Sequence, residues 1–465
     1  MTELDLILQA PHEADIRSLL SMGAGVETAG YLLFGLADIA ADPWSGRPRR
    51  RFVSHAFRSI PAAHAVSASA VHVTWSTDGF MRLLGDAVNE GLIPAIVHTH
   101  PGGPAAFSGQ DDRNEAELAR TASLKGAPGL ISLLINGEGL IAARYWAGRD
   151  RHEPISRILH AGSRITITET AGPGVSPDFL DRQIRLFGDR ANATIANLRC
   201  GVAGGGGTGS AVLPLLMRHG VRNAILFEKD AADHSNLNRL HGARRTDADV
   251  GAPKAEIHQR TVREADLGMN LVTLNAFAGD PESWDALKAC DVIFSCTDDH
   301  AGRLFLNRFS RFYGIPVIDV GLAMQRRTDG GFDLFARVST LVAGHACLVC
   351  GNNVNPRRAR EETLMRRDPD AYEALKKEAY VLGEGEPAPA VAAFTTEAGC
   401  LAIGELLAAV TGFHGDSGMR PVRIRRFHAC DDRFPAIAKS PECPACEATS
   451  TLGRGDCDPF LDMVT

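Results

Sequence analysis

The chain of 465 residues carries 49 Lys+Arg against 56 Asp+Glu, a formal net charge of −7 with neutral histidines, which excludes a strongly basic nucleic-acid coat protein. Hydrophobic residues make up 45% and charged residues 23%, which excludes a core-poor disordered chain. At roughly 100 to 200 residues per domain, the length predicts two or three domains rather than one.

No uninterrupted apolar run reaches the roughly 18 to 20 residues that cross a bilayer, and Met1 to Ala10 lacks a basic segment followed by a hydrophobic stretch. The expectation is a cytoplasmic protein with no membrane and no nucleic-acid partner. Ten cysteines are too sparse for a disulfide scaffold. Four of them fall in two C-x-x-C pairs, which in a reducing compartment read as metal binding.

Up to about Asp150, apolar runs at Tyr31 to Leu36 and Ile131 to Ile135 and a helical stretch after Ser108 predict a compact α+β domain over residues 1–150. Residues 151–177 read as a linker, in which the β-like run Ile165 to Thr170 is followed by Ala171-Gly172-Pro173-Gly174. Residues 178–465 change pattern. Cys200 to Ala203, Ala224 to Phe227, Leu271 to Leu274, Val292 to Cys296 and Val317 to Val320 are apolar strands spaced by helical segments. That alternation predicts β-α-β units and a doubly wound, Rossmann-like α/β sheet. Gly351 to Pro389 is charged and strand-poor, and predicts a solvated helical excursion.

The first chemical constellation is His98-Thr99-His100-Pro101-Gly102, which follows the apolar strand Pro94 to Val97 and precedes Ser108 and Asp111. Positions i and i+2 of a strand point to one side, so His98 and His100 can present imidazoles to one ion, with a carboxylate from the next helix as third ligand. Three protein ligands plus a water is the catalytic form of zinc coordination. An isolated H-x-H near a turn would more readily be read as a solvated pair than as a ligand pair. Together with Glu27, in Val26-Glu27-Thr28-Ala29-Gly30, the pattern resembles the JAMM (Mov34/MPN/JAB) metalloproteases, which cut peptide or isopeptide bonds after ubiquitin-like proteins. The resemblance implies that His98, His100 and Asp111 hold a catalytic zinc. It further implies that Glu27 is general base and acid and that Ser108 stabilises the oxyanion; its spacing selects Asp111 over the adjacent Asp112.

The second constellation is the glycine run Gly204 to Gly207 with Thr208, Gly209 and Ser210, between a strand and an apolar helix. Gly204, Gly206 and Gly209 fit G-x-G-x-x-G, with Gly207 in the same run, and admit phosphate to backbone N–H groups at a helix start. Glu228, 19 residues after Gly209, stands where an acid bonds ribose hydroxyls, so a dehydrogenase has to be weighed. The continuation favours triphosphate chemistry: Asp230, Ser235-Asn236-Leu237-Asn238-Arg239, Gly251-Ala252-Pro253-Lys254 and Cys296-Thr297-Asp298.

With Asp181-Arg182-Gln183-Ile184-Arg185-Leu186-Phe187-Gly188 upstream, this order resembles the ThiF/MoeB/HesA superfamily over residues 178 to 450. Members bind ATP and Mg2+ and adenylate the C-terminal glycine of a ubiquitin-like or sulfur-carrier protein. The resemblance implies a ribose contact at Glu228, phosphate contacts at Asn236, Arg239 and Lys254, and a metal-associated carboxylate at Asp298, with Asp230 at the same site. It implies that Arg182 reaches across a homodimer to the partner's ATP.

Cys347-Leu348-Val349-Cys350 and Cys443-Pro444-Ala445-Cys446 can close a four-thiolate structural zinc site; a redox C-x-x-C would not need the second pair. The crossover stretch from Lys377 to Gly385 contains no cysteine, so the nucleophile of thioester-forming relatives is absent. Cys400 reads as a core residue, Cys200, Cys290 and Cys296 as buried in or beside strands, and Cys430 and Cys457 as undetermined.

The combined expectation is a bifunctional enzyme: a zinc (iso)peptidase that trims or removes a ubiquitin-like protein, fused to the enzyme that adenylates its glycine. Both halves would then recognise one tail, and a conjugating enzyme is an optional further partner. The alternatives are sulfur-carrier activation for thiocarboxylate-dependent biosynthesis, adenylation of another peptide or of tRNA, and a non-enzymatic pair of binding platforms, which would predict decayed motifs.

Overall fold

Strands whose side chains are buried on both faces organise the chain into two large sheets. The computed structural model describes residues 2–23, 25–60, 65–68, 73–75, 77–169, 177–377, 390–443, 445–446 and 451–456. The first sheet has the order Ile165–Glu169, Arg157–Ala161, Glu3–Gln9, Arg49–Ser59, Ala29–Ile39, Ile93–His100, Leu130–Asn136, Ile141–Trp146, His152–Pro154. One face packs on the helix Ala10–Gly23 through Ile16 and Leu19 against Leu6, Leu8, Leu32 and Phe34. Part of the other face lies under the helices Thr77–Glu90 and Gly109–Leu124, through Tyr31, Leu33, Leu84 and Ala119. The rest of that face, Ile7, Ala37, Val53, Leu159 and Ile165, joins a core shared with the second sheet.

The expected linker is therefore corrected. Arg157–Ala161 pairs in parallel with Glu3–Gln9, and Ile165–Glu169 pairs antiparallel with Arg157–Ala161, so both strands belong to the first sheet. Their apolar residues at 158, 159, 161 and 165 are buried. Ala171 to Gly174 lie outside the described residues.

The second sheet runs Asn270–Leu274, Asn223–Phe227, Arg199–Ala203, Val292–Ser295, Val317–Arg326, Phe332–Leu341, Val422–Arg426, Asp431–Arg433. Its first five strands are parallel and the remainder antiparallel. Strand order reverses between Arg199–Ala203 and Val292–Ser295, which opens a crevice at their carboxyl ends. The helix Ala392–Thr411 is long and apolar enough by composition to cross a membrane. Here Ala398, Ala402, Leu406 and Ala409 pack it into the core of the second sheet. The charged excursion forms the helices Pro356–Arg367 and Pro369–Lys377.

The two halves meet over the amino ends of the parallel strands. Asp291, fully buried before Val292, accepts two hydrogen bonds of 2.8 Å from Arg157, one of 3.2 Å from Arg51 and one of 2.9 Å from the Arg199 N–H. Asp5 in turn receives Arg49 at 2.8 Å and Arg51 and Arg199 at 3.1 Å each. Burial alone would raise the Asp291 carboxyl, but Arg157, Arg51 and Arg199 hold it below the ordinary aspartate range. Trp44 donates to the Ala224 carbonyl at the start of a neighbouring strand. A short terminal strap adds to the seam: Gly453 and Gly455 donate to the carbonyls of Arg311 and Phe312, and Asp456 donates to that of Leu36.

Removing one partner of a buried ion cluster leaves uncompensated charge. Asp291→Ala is therefore expected to lower the unfolding free energy by about 3–5 kcal/mol, measured by denaturant unfolding at pH 7. Because the folded pKa is depressed, the wild-type contribution is fully present above the unfolded aspartate value of about 3.9 and is lost as pH falls through the folded value. The difference between wild type and variant should shrink on acidification.

Candidate metal centre and nucleotide crevice

The first site grows from the carboxyl end of Ile93–His100. Strand alternation places His98 and His100 on one side, their ring centroids 4.9 Å apart. Thr99, on the other side, accepts a 2.8 Å hydrogen bond from the Thr28 N–H while its own N–H donates to the Thr28 carbonyl. These bonds pin the segment before Ala29–Ile39, and with it Glu27, whose Oε1 lies 3.7 Å from His100 Nε2. Asp111 Oδ1 lies 3.4 Å from His98 Nε2, and Oδ2 lies 3.7 Å from His100 Nε2. One donor atom from each of His98, His100 and Asp111 falls within 4.8 Å of the others.

Ser108 and Asp111 have a second, local role. Ser108 caps the helix Gly109–Leu124: its Oγ accepts the Asp111 N–H, and Asp111 Oδ2 accepts the Ser108 N–H at 2.6 Å. This reciprocal capping box fixes where the carboxylate stands. Asp112 is turned away and pairs with Arg144 at 2.6 Å, which separates it from Asp111, the aspartate that faces the imidazoles. Arg144 also bonds Glu115 and stacks 3.9 Å over Phe107, a ring beside His98. Neither Thr99 nor Arg144 carried a signal in the sequence.

The donor set fits a divalent ion. His98 Nε2 is buried without a hydrogen-bond partner, and a buried polar atom left unpaired is costly. The His100 ring is bonded to the backbone of Pro104, the kind of outer contact that orients a ligating imidazole. Burial raises the Glu27 carboxyl; the charge of His98 opposes this and that of Asp111 adds to it.

At the second site, Gly204 has φ +94°, and a Cβ there would meet the Cys296 carbonyl at 2.9 Å; one on Gly209 would lie 1.9 Å from the Gly204 carbonyl oxygen. Both positions require glycine, whereas Gly206 is open. Gly207 faces Arg239 and Thr395. Glu228, at the next strand end, accepts the N–H groups of Gly205 and Asp230 at 2.7 Å each. A carboxylate has further lone pairs for hydroxyl donors. Lys254 pairs with Asp230 at 3.0 Å, and Arg239 donates to the Ser235 carbonyl at 2.7 Å. Asn236 accepts the Asp233 N–H in a short capping turn. Asp298 is exposed just past Val292–Ser295. Arg182 is exposed on the helix Asp181–Asn197, near the exposed Leu186 and Phe179.

Four thiols converge elsewhere. Cys347 and Cys443 Sγ are 3.6 Å apart, Cys350 and Cys446 Sγ 3.4 Å, and all four lie within 4.8 Å. A tetrahedral zinc with Zn–S of about 2.3 Å sets sulfurs about 3.8 Å apart, so the cluster fits one ion with little movement. Cys200 and Cys290 are buried, and Cys296 is half-buried. Cys400 is a correction: it is exposed. Thr395, Ala398, Gly399 and Ala402 form the inward face of its helix, and Cys400 is out of phase with them. Cys430 is exposed, and Cys457 lies outside the described residues.

A doubly wound sheet with a glycine-rich turn and a four-thiolate clasp, joined to a second sheet carrying a His-x-His and aspartate cluster, defines a two-part protein. The chain belongs to the ThiF family, whose sequence model matches residues 180–448, and residues 9–150 match the prokaryotic homologs of the JAB domain. Relatives include the SAMP-activating enzyme E1 of Haloferax volcanii, 26% identical over 165 residues, or 35% of this chain and 56% of the relative. The molybdopterin-synthase adenylyltransferase of Escherichia coli is 30% identical over 174 residues, 37% of this chain and 66% of the relative. The chain thus spans less than two thirds of the length of each. The crystal structure of E. coli MccB with ATP aligns with a TM-score of 0.44 at 16% identity, covering 58% of this chain and 75% of that one.

Two independent donor sets predict two zinc equivalents per chain by elemental analysis of the purified protein. His98→Ala should remove the first equivalent and Cys446→Ser the second, each leaving the other bound.

Proposed function

We propose that the N-terminal half hydrolyses the peptide or isopeptide bond after the C-terminal glycine of a ubiquitin-like protein, and that the C-terminal half adenylates the freed glycine. The observation that carries the first activity is the convergence of His98, His100 and Asp111 into one donor set, with Glu27 beside His100. A zinc ion held by His98, His100 and Asp111 would supply an acidified water and polarise the scissile carbonyl. Glu27, with its carboxyl raised by burial, takes up the proton of that water and delivers it to the leaving amine. Ser108 Oγ accepts the Asp111 N–H, so its own proton is left to donate to the developing oxyanion.

For the second activity, the loop Gly204 to Ser210 offers backbone N–H groups at the start of Gly209–Arg218 to phosphate. Glu228 would bond the ribose, and Asn236, Arg239 and Lys254 would meet the triphosphate. Asp298 with Asp230 would stand by its magnesium ion. The glycine carboxylate attacks the α-phosphorus, a carboxyl–phosphate bond forms, and pyrophosphate leaves with the electron pair of the broken bond. Positioning and charge neutralisation are the main requirements of that step. Arg182, exposed on its helix, would complete the site of a dimer partner. The stretch from Lys377 to Gly385 has no cysteine, which favours adenylation alone or transfer of the acyl group to a thiol or sulfide outside this chain, with AMP as the leaving group, over a thioester on the exposed Cys400 or Cys430. Both conjugation and sulfur transfer fit such a transfer.

Each reaction has its own centre, and the two centres lie at opposite ends. The seam between the halves covers Leu36 to Ala40 at the far end of Ala29–Ile39, on the order of 30 to 40 Å from Glu27 at about 3.3 Å per residue. The glycine turn lies on the carboxyl side of the parallel strands, a further distance on the order of 15 Å. At that separation trimming and adenylation would be successive rather than simultaneous engagements of one tail.

Intact-mass spectrometry of a candidate ubiquitin-like protein with a C-terminal extension, incubated with the enzyme, zinc and Mg-ATP, should show a trimmed tail that then gains the mass of AMP. Glu27→Gln should abolish trimming with zinc retained and adenylation of pre-trimmed substrate unchanged. Arg239→Ala or Lys254→Ala should abolish AMP transfer and leave trimming intact; loss of both activities from either change in a folded protein would refute the division of labour. If the extended substrate is isotope-labelled, an excess of unlabelled trimmed protein should suppress labelled adenylate in proportion to the dilution. Labelled adenylate that resists the dilution would demonstrate direct handover.

A further inference from the structure

The charged excursion is the motif of the second half that the two activities leave without a task. Its helix Pro356–Arg367 is not a free solvated arm. The Asn355 N–H donates to His300 Nδ1 at 3.3 Å, Glu362 Oε2 accepts the Ala301 N–H at 2.7 Å, and Arg366 Nη2 lies 2.9 Å from Asp299 Oδ2. All three latch points fall in the three residues directly after Asp298, at the start of the helix His300–Tyr313. The excursion is thus fastened to the carboxyl rim of the sheet.

Phe277 extends this contact across the crevice. It follows the strand Asn270–Leu274, and the Arg366 guanidinium carbon stands 3.8 Å from its ring centroid. On the other flank, Lys229, the neighbour of Glu228, places its ammonium 5.9 Å from the same centroid. A Cβ at Gly302 would meet Phe277 Cζ at 3.0 Å and Thr297 Cγ2 at 3.1 Å, so the ring fills the space between the loop after Asn270–Leu274 and the Cys296-Thr297-Asp298 turn. Beyond the carboxylate assigned to the ribose, the rim therefore ends in a planar cation laid on a phenyl ring. The Arg366 side chain keeps 22% exposure, which leaves part of it open to a ligand. A delocalised guanidinium held flat by a ring beneath it is a stacking surface for a heteroaromatic base, and is poorly suited to a single phosphate point charge.

We propose that Arg366, held by Phe277 and Asp299, forms the base-binding wall of the nucleotide crevice, so that the excursion helix carries part of the ATP site. This rests on the adenylation reading and adds a specificity contact to it. The Glu362 latch on the Ala301 N–H positions the helix, and Arg366 makes the contact with the base.

The test is equilibrium binding of a fluorescent ATP analogue to the full chain, with competition by ATP and by inorganic tripolyphosphate. Arg366→Ala should weaken ATP about tenfold, in line with the loss of one cation–π or stacking contact, and leave tripolyphosphate competition unchanged. Arg366→Lys, which keeps the charge and loses the plane, should behave as Arg366→Ala. Unaltered ATP affinity in Arg366→Ala overturns the proposal. So does an equal loss for tripolyphosphate, which would make Arg366 a phosphate contact, and so does full rescue by lysine. Glu362→Ala, which removes the acceptor of the Ala301 N–H, should weaken ATP in the same base-selective manner, and it keeps the test decisive if Arg366→Ala misfolds. If the wild-type chain itself bound neither ATP nor the analogue, the adenylation reading would fall first, and that result is distinct from a wild type that binds while Arg366→Ala binds equally well.

Discussion

The carboxylate of Asp291 is the constraint on which the arrangement of the molecule depends. It is fully buried between two sheets and is offset by two guanidinium groups and a backbone N–H. Such burial gains little net free energy, since desolvation consumes most of the attraction. Its effect is geometric: Arg51 and Arg157 on one sheet can meet Asp291 on the other in only one relative placement, whereas the apolar contacts of Ile7, Val53 and Leu159 tolerate sliding. The cluster occupies the amino ends of the parallel strands. The seam thus lies away from the carboxyl ends of the parallel strands and from the His98 strand end.

The two chemical centres share a construction principle. In each, candidate side chains stand at strand ends and in the turns beside them, locked by local hydrogen bonds. Thr99 fixes Glu27 through Thr28, and the Gly205 and Asp230 N–H groups fix Glu228. Arg144 draws Asp112 away, so that of the two adjacent aspartates it is Asp111 that faces the imidazoles. Sites on rigid elements with locked partners lose less freedom when a ligand arrives.

Much of this was legible in the sequence because it obeys short periods. The parallel strands appear as apolar runs, His98 and His100 obey the two-residue period, and the paired C-x-x-C knuckles carry their own spacing. What was not legible depends on long-range contact. Arg157–Ala161 and Ile165–Glu169 lie between polar turns and a Gly-Pro segment, and only pairing with Glu3–Gln9 shows that they belong to the first sheet. Glu27 has no local signature, and only the family resemblance singles it out. Cys400 misled because one small residue in an apolar helix gives no phase information, which only packing supplies. The contact of Arg366 with Phe277 joins positions 89 apart in sequence, and neither position carries a motif.

Ser108 and Asp111 show how a single pattern can serve two ends. S-x-x-D before a helix is the signature of a capping box, and it would be satisfied without any metal. The capping bond takes Oδ2 of Asp111 at 2.6 Å and leaves Oδ1 toward His98, so helix initiation itself sets the direction of the carboxylate. Asp111 is thereby held below the ordinary aspartate range: burial opposes this, and His98 and the Ser108 N–H outweigh it. The carboxylate stays ionised and aimed without a dedicated scaffold. The same two residues that start a helix thus prepare the ligand and hydroxyl that the hydrolytic reading requires, which ties the local stability of Gly109–Leu124 to the geometry of the metal centre.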